Sequence, residues 1–118
     1  MHEQENAKTN CIGFAFSRLG ITSEEKYIEP PTLKHLLRKF NEVEINKASL
    51  LAVIRYPCGE PYVYHLAILS QDKNTVIHRK GVNSPETVED LDMAICSYLL
   101  DNDSVCTKVI YLQPKTQN

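Results

Sequence analysis

The chain has 118 residues, 42% of them hydrophobic and 24% charged, with a formal net charge of −2. That is the composition of one soluble globular domain, here residues 1–118 with residues 1–9 as a flexible polar start, long enough to bury its own core. Mixed charge near balance excludes the basic footprint of a nucleic-acid binder and the polybasic patch of a membrane-surface protein, and no run approaches the roughly 20 apolar residues of a membrane span.

In chain order, Asn10 is placed to cap a first helix in which Cys11, Phe14, Ala15, Arg18 and Leu19 recur at helical spacing, with Gly20 as its stop. A loop containing Pro30 and Pro31 follows. Thr32 caps a second helix whose Leu33, Leu36, Leu37 and Phe40 form an apolar core stripe. The run LLAVIRY from Leu50 reads as a buried strand, PCGEP as a turn, YVYHLAIL as a second strand, QDKN as a polar turn and TVIHRK as a third strand. The segment from Ser84 to Asp101 reads as a helix, with Ser84 as cap, Pro85 as first residue, and Val88, Leu91, Ile95, Tyr98 and Leu99 buried. SVCTKVIYLQ closes the chain as a fourth strand. Helices segregated from consecutive antiparallel strands predict an α+β fold.

The start MHEQENAKTN lacks the apolar stretch of a secretory signal, so a cytoplasmic location is expected, a secreted effector being the alternative. Cys11, Cys58, Cys96 and Cys106 are scattered, with no Cys-x-x-Cys pair, and four free thiols are expected. Cys58 lies in a turn, and Cys96 and Cys106 sit in apolar patterns that read as core.

Cys11 stands at a helix N-terminus, where unpaired N–H groups and the helix dipole favour negative charge. A thiolate is the nucleophilic form of cysteine, and such a position favours it. The same N–H groups can hold an oxyanion beside the sulfur. His65 falls in the second predicted strand and His78 in the third. A hairpin centred between Asp72 and Lys73 sets His78 opposite Ala67, and so on the face of His65, near enough for the two rings to meet; a centre shifted by half a residue sends His78 to the other face.

These residues carry a resemblance. NCIGFAFSRLGI resembles the nucleophile helix of NlpC-type cysteine peptidases, commonly Asp-Cys-Ser-Gly-Phe. YHLAIL, a polar turn and TVIH resemble that family's strand opened by a His and a later strand ending in a second His. The match runs from about Asn10 to Lys80 in the family's order. It implies a papain-like fold, a nucleophile helix packed on an antiparallel sheet, no metal, no cofactor, and hydrolysis of a peptide or amide bond through a thioester. By it Cys11 is the nucleophile, His65 the general base and His78 the orienting third residue. Asn10 and Ile12 replace the family's Asp and Ser, the Pro-Gly-Asp that opens the middle strand is absent near Lys47, Ala48 and Ser49, and the N-terminal Tyr has no counterpart.

Asn10 and the Cys11 backbone are candidate oxyanion donors, with Gln4 and Asn6 proposed only by proximity. Asp72 is the alternative third residue. His2 and His35 read as surface, and Gly13 as a site of close helix–sheet packing. Two other functions fit the same residues: a papain-like domain without catalysis that binds a peptide or protein, and a zinc site built from Cys11, Cys58, His65 and His78, whose spacing fits no short-knuckle pattern. At this size, a second copy or a partner protein could complete a substrate cleft.

Overall fold

The structure is a computed structural model and describes residues 8–100 and 106–115. His2, Gln4 and Asn6 lie outside the described residues, as do Asp101 at the end of the expected last helix and Ser104 at the start of the expected last strand.

Asn10 nucleates α1 (Cys11–Arg18) as its sequence suggests: its backbone is extended, and its side-chain oxygen accepts from the Gly13 N–H at 2.9 Å, satisfying a first-turn donor. The helix stops at Gly20, whose φ of +76° suits a residue without Cβ. There the N–H groups of Gly20 and Ile21 turn back to the carbonyls of Ser17 and Phe16, a paired closure of the last turn. Thr32 caps α2 (Leu33–Leu36) by accepting from the His35 N–H at 3.0 Å.

Among the described residues six strands form one antiparallel sheet in the order β1-β6-β2-β3-β4-β5. They are β1 (Phe40–Glu42), β2 (Leu50–Arg55), β3 (Tyr62–Leu69), β4 (Thr75–Arg79), β5 (Glu86–Asp90) and β6 (Thr107–Pro114). With α3 (Leu91–Leu100) the fold is α+β. The run at β2 is apolar throughout because both of its faces are covered. Leu50, Ala52 and Ile54 join Leu66, Ile110, Leu112 and the buried side of α1 on one face. Leu51 and Val53 join Ala67, Leu69, Val76 and the α3 residues Leu91, Ala94 and Tyr98 on the other.

Two strands were not legible. Phe40, expected on the second helix, begins β1 and is buried against β6 rather than extending α2. The expected helix from Ser84 is a strand first and a helix second. Glu86, Thr87, Val88, Glu89 and Asp90 pair along the whole of β4, so the free edge of β4 overrides the local helical pattern. Val88, expected in the buried stripe, is therefore 61% exposed. Asp90 takes over the capping role assigned to Ser84, accepting from the Met93 N–H at 3.3 Å. Cys96 is exposed on α3 and Cys106 half-buried, so neither is a core residue as expected.

The β3–β4 hairpin adopts the register that the two histidines require. Ile68 pairs with Ile77 and Leu69 with Val76, which continued by one residue sets Ala67 opposite His78. The polar turn fixes this count. Asp72 accepts from the Ser70 hydroxyl at 2.7 Å and the Asn74 N–H at 3.0 Å, and Lys73 adopts a φ of +64°. On the other edge of β3, Val53 pairs with His65 but Ile54 with Val63, leaving Tyr64 as an extra residue. That bulge turns Val63 toward the α1 core and His65 toward α3. No helix among the described residues is long and apolar enough to cross a membrane.

Candidate active site

His65 and His78 meet in the interior. His65 Nε2 lies 2.7 Å from His78 Nδ1, with the rings edge to face at 4.9 Å between centroids, and the side chains are 4% and 1% exposed. Two residues that the sequence reading did not assign to the site complete the group. Glu89 projects from β5 to place Oε1 3.1 Å from His78 Nε2, and Tyr98 projects from α3 to place its hydroxyl 2.7 Å from His78 Nδ1. The Tyr98 ring also packs 4.9 Å from that of His65. Lys80 contacts the same Glu89 oxygen at 2.6 Å. Glu89 was hidden inside a pattern read as helix. No local alternation marks Glu86–Asp90; the segment is a strand because it pairs along β4. Tyr98 was read as buried, which it is, but not as polar machinery.

The hydrogen bonds dictate proton positions. Lys80 and His78 hold the Glu89 carboxyl below the usual carboxylate range, so it is ionised and only accepts. His78 must then donate from Nε2, which leaves Nδ1 as an acceptor. His65 Nε2 and the Tyr98 hydroxyl both face that acceptor, and where His65 donates to it from Nε2 the lone pair of His65 falls on Nδ1. Burial, with His78 adding to it, drives the His65 pKa down to about 3, and burial lowers that of His78 despite Glu89. Both rings are neutral near pH 7.

Cys11 opens α1 as expected, 8% exposed, on the α1 side of the sheet, whereas the two imidazoles lie on the α3 side. Toward its start β3 parts from β4, since the pairing of those strands is confined to Ile68–Leu69 and Val76–Ile77. There the sulfur faces the backbone N–H of Leu66, the residue next to His65, and those of Ile12 and of Cys11 itself. Tyr98, packed on His65, senses the charge of a Cys11 thiolate. Among the described residues Cys11 forms no hydrogen bond with His65; a nucleophile–base pair is often looser before substrate binds. Burial pushes the Cys11 thiol above its ordinary value, outweighing the three N–H groups. The expectation of a thiolate favoured by the helix terminus is thus reversed by desolvation.

Asn10 does not serve as an oxyanion donor. Its amide nitrogen donates to the Ile28 carbonyl at 2.8 Å, and its oxygen accepts from the N–H groups of Gly13 and Ile28. It clamps the 20–31 loop across the start of α1. Gly13 belongs to the same contact: a Cβ there would lie 1.6 Å from the Lys26 carbonyl oxygen, so the close approach is to this loop, not to the sheet. Thr9, placed in the flexible start, is held by the Asn83 side chain and bonded to Glu25, which Arg79 grips at 2.6 Å. Asp72 lies in the exposed β3–β4 turn, its Oδ1 accepting from Ser70 and Asn74, and the carboxylate that reaches His78 is that of Glu89 instead. His35 is exposed, as expected. Cys58 lies exposed in the β2–β3 turn, and among the described residues no three His, Cys, Asp or Glu side chains are grouped to hold a metal ion.

A pocket of about 80 Å3 lies over the histidines, lined also by Tyr64, Lys80, Glu89 and Tyr98 but not by Cys11. It is too small for a peptide. Comparison of the chain with protein-family models, with curated proteins and with solved structures gave no match.

Proposed function

We propose that the chain is a cysteine hydrolase of papain-like, NlpC-type fold that cleaves a peptide or amide bond through a thioester. The observation that carries this reading is the buried His65–His78 pair at 2.7 Å, on the strand whose Leu66 N–H, next to His65, faces a cysteine at the N-terminus of a helix. The resemblance in sequence names the same three residues in the same order.

The electrostatics favour one version of the chemistry. A buried thiol with a raised pKa and a neutral imidazole do not store a thiolate–imidazolium pair. The nucleophile forms during attack: the Cys11 thiol proton passes to His65 Nδ1 as the sulfur bonds to the carbonyl carbon, and the carbonyl electron pair moves to oxygen. The N–H groups of Cys11 and Ile12, in the first turn of α1, are the oxyanion donors. His65 then returns the proton to the leaving amine, and water attacks the thioester with His65 again as base.

A second reading has its own support. The near-complete burial of Cys11 suits a papain-like domain that binds a peptide or protein without cutting it. One experiment separates the two. The chain is treated with p-nitrophenyl acetate, and acetylation is read at each cysteine by peptide mass. Hydrolase chemistry predicts selective acetylation of Cys11, falling about a hundredfold or more in His65→Ala, the loss expected of a general base. Acetylation of Cys11 no faster than that of Cys58, or unchanged in the variant, overturns it in favour of the binding module.

A further inference from the structure

We infer that Glu89 is a positioning residue of this site: by accepting the Nε2 proton of His78 it keeps His78 Nδ1 an acceptor, so that His65 can donate there from Nε2 and hold its lone pair on the nitrogen that receives the thiol proton. This rests on the hydrolase reading above.

His78 Nδ1 has one lone pair and two neighbours at 2.7 Å, His65 Nε2 and the Tyr98 hydroxyl. Without a partner at Nε2, His78 could carry its proton on Nδ1 and donate to either neighbour. His65 would then accept at Nε2 and carry its own proton on Nδ1, and an imidazole protonated there is no base for Cys11. The carboxylate removes that choice, because an ionised Glu89 offers only acceptors. The groups facing His78 are few: His65 from β3, Glu89 from β5, Tyr98 from α3, and Lys80, which follows β4 and reaches the same oxygen as His78. The Tyr98 hydroxyl lies at the same 2.7 Å and shares the single lone pair of His78 Nδ1 with His65, since it cannot accept from a nitrogen that carries no proton. Glu89 stands on an edge strand otherwise exposed on the opposite face at Val88, so its inward direction comes from strand pairing with Val76.

During acylation the thiol proton moves to His65 Nδ1, which makes an imidazolium bearing protons on both nitrogens. His78 continues to accept from Nε2, and Glu89 continues to accept from His78. No proton need pass to Glu89.

The test uses the full chain as wild type, Glu89→Ala and Glu89→Gln. Two-bond 1H–15N spectra report which ring nitrogen of each histidine is protonated, and p-nitrophenyl acetate reports Cys11 acetylation. The wild type should show His78 and His65 both protonated at Nε2 at pH 7. In Glu89→Ala the fixed tautomers should be lost and Cys11 acetylation should fall at least about tenfold, as when the orienting carboxylate of a triad is removed. Glu89→Gln should recover both, because Lys80 and His78 donate to one oxygen and would hold the amide oxygen there. Unchanged tautomers and acetylation in Glu89→Ala overturn the role of Glu89 and leave the hydrolase reading standing. A wild type whose Cys11 is not selectively acetylated overturns the hydrolase reading itself, and the positioning role with it.

Discussion

Acidification should weaken the fold well before carboxylates protonate, and His65 sets the size of the effect. The ring is buried and neutral, with a pKa of about 3 against the ordinary 6.5. In the unfolded chain it binds a proton below pH 6.5, whereas in the fold it does not until about pH 3. Stability is therefore fully present above pH 6.5 and is lost as pH falls from 6.5 toward 3, at about 1.4 kcal/mol per pH unit. At pH 5, some 1.5 units below the unfolded value, the loss is about 2 kcal/mol. His78 is shifted in the same direction and adds to it. With a denaturant slope typical of small domains, about 1–3 kcal/mol per molar urea, the midpoint should drop by about 1 M between pH 7 and pH 5. The chain has no tryptophan, so far-UV circular dichroism is the signal to follow. In His65→Gln the drop should shrink. A wild-type midpoint equal at the two pH values, or a His65→Gln variant that loses as much as wild type, would refute a buried neutral His65.

Other consequences follow from single contacts. Gly13→Ala should destabilise the chain by about 1–3 kcal/mol in urea titrations, because its Cβ meets the Lys26 carbonyl oxygen and the 20–31 loop must move. Asn10→Ala should cost about 1–2 kcal/mol, from the lost helix cap together with the severed clamp on Ile28; a change under half a kilocalorie would show that the loop is held by other contacts. Tyr98→Phe removes the hydroxyl from His78 and should cost about 1 kcal/mol while leaving the Cys11 acetylation rate within about threefold, since His65 retains its own acceptor.

What the sequence carried was local or set by parity. Asn10, Gly20 and Thr32 mark helix ends through side-chain chemistry and φ alone, and each stands where it was expected. The meeting of His65 and His78 depended on one integer, the register of a hairpin, and the turn at Asp72 and Lys73 fixes it. What was missed depends on partners distant in the chain. Nothing local makes Glu86–Asp90 a strand; the open edge of β4 does. Glu89 could not be seen as a site residue until that pairing faced it inward. The pKa of Cys11 was misjudged for the same reason, because helix polarity is written at the residue, while desolvation by the sheet is not.

The most direct measurement is the rate of Cys11 acetylation by p-nitrophenyl acetate between pH 5 and pH 8, read against Cys58 in the same sample. The rate of a thiol that must first ionise rises about tenfold with each pH unit up to its pKa. A thiol deprotonated by His65 during attack needs only a neutral imidazole, and with a His65 pKa of about 3 that condition holds across the range. The predicted result is a Cys11 rate nearly independent of pH in the wild type and restored to the ordinary slope in His65→Ala. A Cys11 rate that climbs with pH alongside Cys58 in both proteins would contradict the Cys11–His65 pair as catalytic machinery.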